Sequence, residues 1–385
     1  MAFIPLSVPN MAEKEEEYVL DAVSTGWVSS VGSYVERFEK GIASYVNTPN
    51  AVACQSGTAG LHLSLITLGA VAGDLIMVPT LTFIAAVNPV RYIGADPVFL
   101  DCDDSLCIDP KKLRSFCEEC CYVKDGALFH KDTDRRIPVL VVVHVFGNMA
   151  DMLGILKVAE EFHFNVLEDA TEALGTKYLE GPLKGRMAGT MGHLGVYSFN
   201  GNKIITTGGG GMVVSQNAEL LQKIKYLSTQ AKNDELYFIH NEIGYNYRMT
   251  NVQAAIGVAQ LERLETFIET KTENYKLYKE LLADIPKIFM IPMVEGIRSN
   301  YWMYSVCFEN SDVRDMVLKE LDKSKIQTRP VWGLIHEQNP YIKDITHNLE
   351  KANFYGSRIL NIPCSSGLTI DDVKTVSASM HKLQL

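Results

Sequence analysis

Val139 to Val143 is an unbroken apolar run, Val-Leu-Val-Val-Val. A strand with one face in water alternates polar and apolar residues. A strand without that alternation must be covered on both faces, as in a parallel sheet between layers of helices. The same pattern recurs through the first half of the chain. Short apolar runs at 51–55, 75–79, 97–100, 165–169 and 194–199 alternate with helical spacing at 13–24, 35–45, 61–68 and 152–162. This alternation predicts an α/β fold with a mainly parallel central sheet flanked by helices. At 385 residues the chain has room for a large domain, expected over 1–250, and a smaller α/β domain. The second unit, 251–385, is expected to begin with a linker helix capped by Asn251 and running on towards Leu282. It should then carry a strand at 305–308 and a helix at 313–321. Residues 117–137, polar around Asp125-Gly126, read as an inserted hairpin standing off the main sheet.

Acidic residues outnumber basic ones, 46 to 36, for a net charge of −10, which argues against a nucleic-acid-binding surface. No run is long and apolar enough for a membrane helix. The first residues lack the charged and apolar regions of a signal peptide, so a cytoplasmic protein is expected. Most of the eight cysteines sit alone in apolar runs, as small hydrophobes do. Cys117, Cys120 and Cys121 have no second pair downstream to complete a zinc site, and no metal is expected.

In parallel sheets, ligands gather beyond the carboxyl ends of the strands. Ser56, Phe83, His144, Asp169 and Ser198 all fall at such ends. Ser56-Gly57-Thr58-Ala59-Gly60 opens a helix, whose free amides and dipole favour an anion, although a plain capped helix has the same sequence. Phe83 suits either the core or the face of a planar ring. Ser198 leads through Asn200 to Lys203, and then to the glycines at 208–211. Lys203 is either a solvated loop lysine or an amine held at a strand end as a nucleophile for a carbonyl.

Together these residues offer an amine, a carboxylate, an anion-binding helix start, a hydroxyl and an aromatic cover. Pyridoxal 5′-phosphate needs that set. Its aldehyde forms a Schiff base with a lysine, its phosphate takes amides and hydroxyls, and its pyridine nitrogen needs a carboxylate to stay protonated. There is no Gly-x-Ser-x-Gly elbow for a Ser-His-Asp hydrolase and no His/Asp cluster for a metal hydrolase.

Five ordered blocks carry a resemblance that covers nearly the whole chain. They are Ser56-Gly57-Thr58-Ala59-Gly60-Leu61, Thr82-Phe83, Glu168-Asp169-Ala170-Thr171-Glu172-Ala173-Leu174-Gly175, Ser198-Phe199-Asn200-Gly201-Asn202-Lys203 and Gly244-Tyr245-Asn246-Tyr247-Arg248-Met249. On these the sequence resembles the DegT/DnrJ sugar aminotransferases, fold type I pyridoxal-phosphate enzymes that pass through a pyridoxamine form. The resemblance implies that Lys203 is the Schiff-base lysine and proton carrier, and that Asp169 pairs with the pyridine nitrogen. Phe83 would stack on the ring. Gly57, Thr58 and Ser198 would hold the phosphate, with Ser56 and Asn200 also against the cofactor. Glu172 would lie near the ring hydroxyl, where many relatives have Gln or His. Asn246 would reach the phosphate of the neighbouring subunit, which implies a homodimer with shared active sites. Arg248, Arg329 and Trp332 are candidate substrate contacts, with ordinary salt bridging an equal reading for the two arginines. Relatives that dehydrate deoxysugars carry histidine in place of Lys203, so the lysine favours transamination.

The run from Asn200 to Thr206, with the insertion at 117–137, is similar to the aminotransferases of the legionaminic-acid and bacillosamine pathways. That implies L-glutamate as donor and a UDP- or GDP-linked 2-acetamido-2,6-dideoxy-4-ketohexose as acceptor. The alternatives are a perosamine synthase-like enzyme acting on a GDP-linked ketosugar without the acetamido group, another sugar-nucleotide aminotransferase, and a non-catalytic cofactor-binding regulator.

Overall fold

The computed structural model describes residues 2–234 and 236–383. Its centre is an eight-stranded sheet. In chain order the strands are β1 (Asn50–Cys54), β2 (Leu75–Pro79), β3 (Asp96–Leu100), β4 (Val139–Val143), β5 (Asn165–Asp169), β6 (Leu194–Ser198), β7 (Gly211–Ser215) and β8 (Ile345–His347). In space they run β1-β7-β6-β5-β4-β2-β3-β8. All pairs from β6 to β8 are parallel, and β7 is antiparallel to both of its neighbours. Every residue of β4 is buried, as its composition requires.

Residues on β1, β6 and β7 alternate between two cores. Val52, Cys54, Val196 and Val213 pack on one face. Ala51, Ala53, Tyr197, Met212 and Val214 pack on the other, the period of two of a pleated strand. Three helices organise the surroundings of β1: α1 (Ser33–Val46), α2 (Gly57–Thr67) and α3 (Asn251–Glu262). α2 lies along β6 and β7, while α1 packs on α3 and β1.

The carboxy-terminal third contributes β8 to the main sheet and a separate four-stranded sheet built on Tyr304–Phe308. The helical run after 251 is two helices that meet at Arg263, the second spanning Leu264–Leu281. The hairpin around Asp125-Gly126 is present as a separate two-stranded ribbon, Cys121–Lys124 with Ala127–His130. Both turn residues have positive φ, the type I′ geometry whose twist suits a two-residue hairpin. The first part of the expected insertion belongs instead to a helix ending at Cys120.

The cap of α3 is Thr250, not Asn251. Thr250 and Gln253 form a reciprocal capping box, the Thr-x-x-Gln pattern. Asn251 is buried and caps a different helix. Its Oδ1 accepts from the Tyr34 and Val35 amides at the start of α1, at 3.0 and 3.3 Å. All eight cysteines are free. Among the described residues no helix is long and apolar enough to cross a membrane, and no group of three His, Cys, Asp or Glu is placed to hold a metal ion.

Candidate active site

β1 ends at Cys54, and Ser56 caps α2 by accepting the Ala59 N–H at 3.0 Å. The hydroxyl therefore serves the helix start, and the amides of Gly57 and Thr58 are left ahead of the first turn. Two glycines keep this start open. A Cβ at Gly57 would lie 3.0 Å from Ser198 Cβ and Thr171 Cγ2. A Cβ at Gly211, on β7 behind the turn, would lie 2.5 Å from the Ser56 carbonyl. A cavity of about 360 Å³ begins here. Ser56, Gly57, Thr58, Ser198 and Asn200 line it, together with Phe83, Trp332, Asp169, Glu172 and Lys203.

Lys203 brings a buried amine among carboxylates. Its Nζ is 3.8 Å from Glu172 Oε1, an ion-pair separation too long for a hydrogen bond. Burial pushes its pKa down, opposed by Glu172 and then Asp169. Burial pushes Asp169 up against the Thr171 hydrogen bonds and the Lys203 charge. Glu172 is pushed up by burial to about 7, although Lys203 and the Phe146 amide pull the other way. Such opposed shifts in one cleft mark a proton-handling site.

The residues present fit pyridoxal phosphate. The helix start, Ser198 hydroxyl and glycine-only positions suit the phosphate, Lys203 suits the aldehyde, Asp169 suits a cationic ring nitrogen, and Phe83, half exposed beside Trp332 at 5.9 Å, offers an aromatic face.

The DegT/DnrJ/EryC1/StrS aminotransferase family model matches residues 9–381. The chain belongs to that family. It is a pyridoxal-phosphate-dependent sugar aminotransferase. Along its length it is similar to the GDP-perosamine synthase of Caulobacter vibrioides, 36% identical over 99% of this chain and 98% of that one. The GDP-perosamine synthase of Vibrio cholerae is 33% identical over 97% of each. Among solved structures, the aminotransferase TlmJ of Streptoalloteichus hindustanus superposes with a TM-score of 0.88 at 26% identity, covering 99% of this chain and 100% of that one.

Several of the candidate residues lie outside this cavity. His144 is fully buried outside the cavity lining. Its Nδ1 accepts the Ala150 N–H at 3.2 Å, so Nε2–H donates to Glu168 at 2.9 Å. Burial alone would raise the Glu168 carboxyl, but His144 and the Gly192 and Gly189 amides hold it below the usual range. The pair braces the strand end that presents Asp169. Arg248 donates to Glu39 at 2.7 Å and to the Ala53 carbonyl at 3.0 Å. It ties β1 to α1 and does not line the cavity. Arg329 is exposed, and among the described residues its side chain donates to the carbonyl of its neighbour Thr328. Asn246 pairs with Thr229 outside the cavity of its own chain. Trp302 lines the cavity and was not among the expected site residues. It comes from the loop before Tyr304–Phe308, 99 positions after Lys203.

Proposed function

We propose that this enzyme transfers the amino group of L-glutamate to C4 of a nucleotide-linked 4-ketohexose, and that the acceptor is GDP-linked and lacks the acetamido group, as for a perosamine synthase. The observation that carries the acceptor is the full-length likeness to GDP-perosamine synthases. It favours this acceptor over the acetamido sugar of the legionaminic-acid reading, which rested on shorter motifs.

Bound pyridoxal phosphate supplies a carbonyl that captures amines and a ring that takes up an electron pair. The chain's residues do the rest. The Gly57 and Thr58 amides and the Ser198 hydroxyl would hold the phosphate, Asp169 would face the ring nitrogen and Phe83 would cover the ring. Lys203, made easier to deprotonate by burial, takes and returns a proton at Nζ.

A homodimer with shared sites belongs to the same reading. Leu236, Tyr237, Phe238, Ile239 and Ile243 are 50 to 84% exposed, an apolar surface that a lone chain rarely presents, and it adjoins Asn246 in sequence. Free cysteines suit the reducing cytoplasm.

The test is turnover with L-glutamate and each of two acceptors, a GDP-linked 4-ketohexose and a UDP-linked 2-acetamido-4-ketohexose. Higher kcat/KM for the first is expected. Preference for the second overturns the acceptor assignment and restores the acetamido reading.

A further inference from the structure

We propose that the ring face of Trp302 and the carboxylate of Glu172 form a seat for the free Lys203 ammonium, with Trp302 a positioning residue of the site. The proposal rests on the reading of Lys203 as the cofactor lysine.

Lys203 Nζ lies 3.8 Å from the centre of the Trp302 ring and 3.8 Å from Glu172 Oε1. Both partners are fixed from behind. Trp302 is 3% exposed, and its Nε1–H donates to the Asn202 carbonyl at 2.7 Å. The ring is thus tied to the residue just before the lysine it faces. Glu172 accepts the Phe146 amide on Oε2 at 2.7 Å, which leaves Oε1 for Lys203.

Phe146 supports both halves. Its ring sits 6.1 Å from Trp302 and 4.9 Å from Trp332. Its backbone holds φ at 56°, a left-handed conformation that a bulky residue rarely takes and that the surroundings must enforce. Among the described residues the charges facing Lys203 are Glu172 and Asp169. A second, small cavity lined by Lys203 and Trp302 is also lined by Lys271, whose amine is bonded to the Cys364 carbonyl.

An aromatic face attracts an ammonium, more strongly once water is excluded. Whenever Lys203 is not covalently engaged, its amine has to stay within reach, take up a proton and return it. The seat holds the protonated amine at a defined place between ring and carboxylate. Without it, burial alone would favour the neutral amine.

The experiment follows covalent capture of pyridoxal phosphate by the cofactor-stripped full-length protein, by absorbance, as a function of pH. Only a neutral amine attacks the aldehyde, so the midpoint of the rate profile reports the charge of Lys203. Trp302→Leu removes the face and Glu172→Gln removes the anion. Each is expected to move the midpoint down by about one pH unit, a tenfold gain in neutral amine at pH values below it. Trp302→Phe keeps a ring face and should move it by less than half as much as Trp302→Leu. Unmoved midpoints in the Leu and Gln variants overturn the seat, as does a Phe variant that shifts as far as Leu. Should Trp302→Leu not fold, an unmoved midpoint in Glu172→Gln alone overturns it. Borohydride reduction and peptide mass analysis separate the two levels. Cofactor trapped on another lysine overturns the reading of Lys203 itself. Cofactor trapped on Lys203 with unmoved midpoints overturns only the seat.

Discussion

Burial sets the chemistry of Lys203 and Glu172 in opposite directions, and both directions are testable. Lys203→Ala should lower turnover by more than roughly a thousandfold and remove the lysine-linked cofactor absorbance, while the circular dichroism spectrum stays that of the wild type. Substantial remaining turnover would remove Lys203 from the mechanism. Glu172 gives a stability signature. An ordinary glutamate ionises near 4.5, whereas burial keeps this one protonated up to about 7 in the folded chain. Between those values the folded state binds more protons than the unfolded state. Stability therefore falls as pH rises through the window, and the full loss of about 3 kcal/mol is in place above it. Glu172→Gln abolishes that titration. Relative to wild type, its unfolding free energy in urea without cofactor should rise by up to about 3 kcal/mol between about pH 4.5 and pH 8. A difference that does not change with pH would show that Glu172 ionises normally. Asp169 was legible in the sequence because it ends an apolar run, and Lys203 because it follows another such run after a short polar turn. Trp302 was not, because nothing around Asn300-Tyr301-Trp302 marks it and only the fold brings it to Lys203. For Arg248 the sequence left salt bridging and substrate contact as equal readings, since its partner Glu39 lies on a helix some two hundred positions earlier.

Elements whose pattern is set by burial on both faces could be read directly: β2, β4 and β5 have the expected bounds. β8 has three residues, too few to show a period, and it exists because β3 offers it a parallel edge. The capping of α3 was decided by Gln253, which only Thr250 can box; Asn251 is as good a cap by type and went to α1. The cofactor cradle is itself a packing of elements, because β7 passes directly behind the start of α2. Gly211→Ala would press a methyl against the Ser56 carbonyl and, at 2.7 Å, against the Gly57 nitrogen. These are backbone atoms and cannot turn aside. The expected outcome is a loss of about 1–3 kcal/mol in urea unfolding, together with at least tenfold weaker binding of pyridoxal phosphate by fluorescence titration. Wild-type affinity in that variant would mean that the phosphate does not sit at this helix start.

At the scale of the whole molecule, the apolar residues at 236–239 and Ile243 and the position of Asn246 bear on one question, whether a single chain holds a complete site. Asn246 does not line the cavity of its own chain, and the surface beside it in sequence is strongly apolar and exposed. In the proposed two-fold dimer, each site takes Lys203 from one subunit and Asn246 from the other. A Lys203→Ala chain and an Asn246→Ala chain would each be impaired as homodimers. A hybrid of the two would concentrate both defects in one site and leave the other intact. Random pairing in a symmetric dimer then returns about a quarter of wild-type sites. Co-expression of the two chains with different affinity tags, purification through both tags and a turnover assay would measure this. Hybrids with about half the wild-type activity per dimer are expected, since one of two sites is whole. Hybrids no more active than the mean of the two parents would show that Asn246 serves its own chain or none. A wild-type protein that sediments at the mass of one chain would remove the shared site altogether, and the apolar segment would then need another partner.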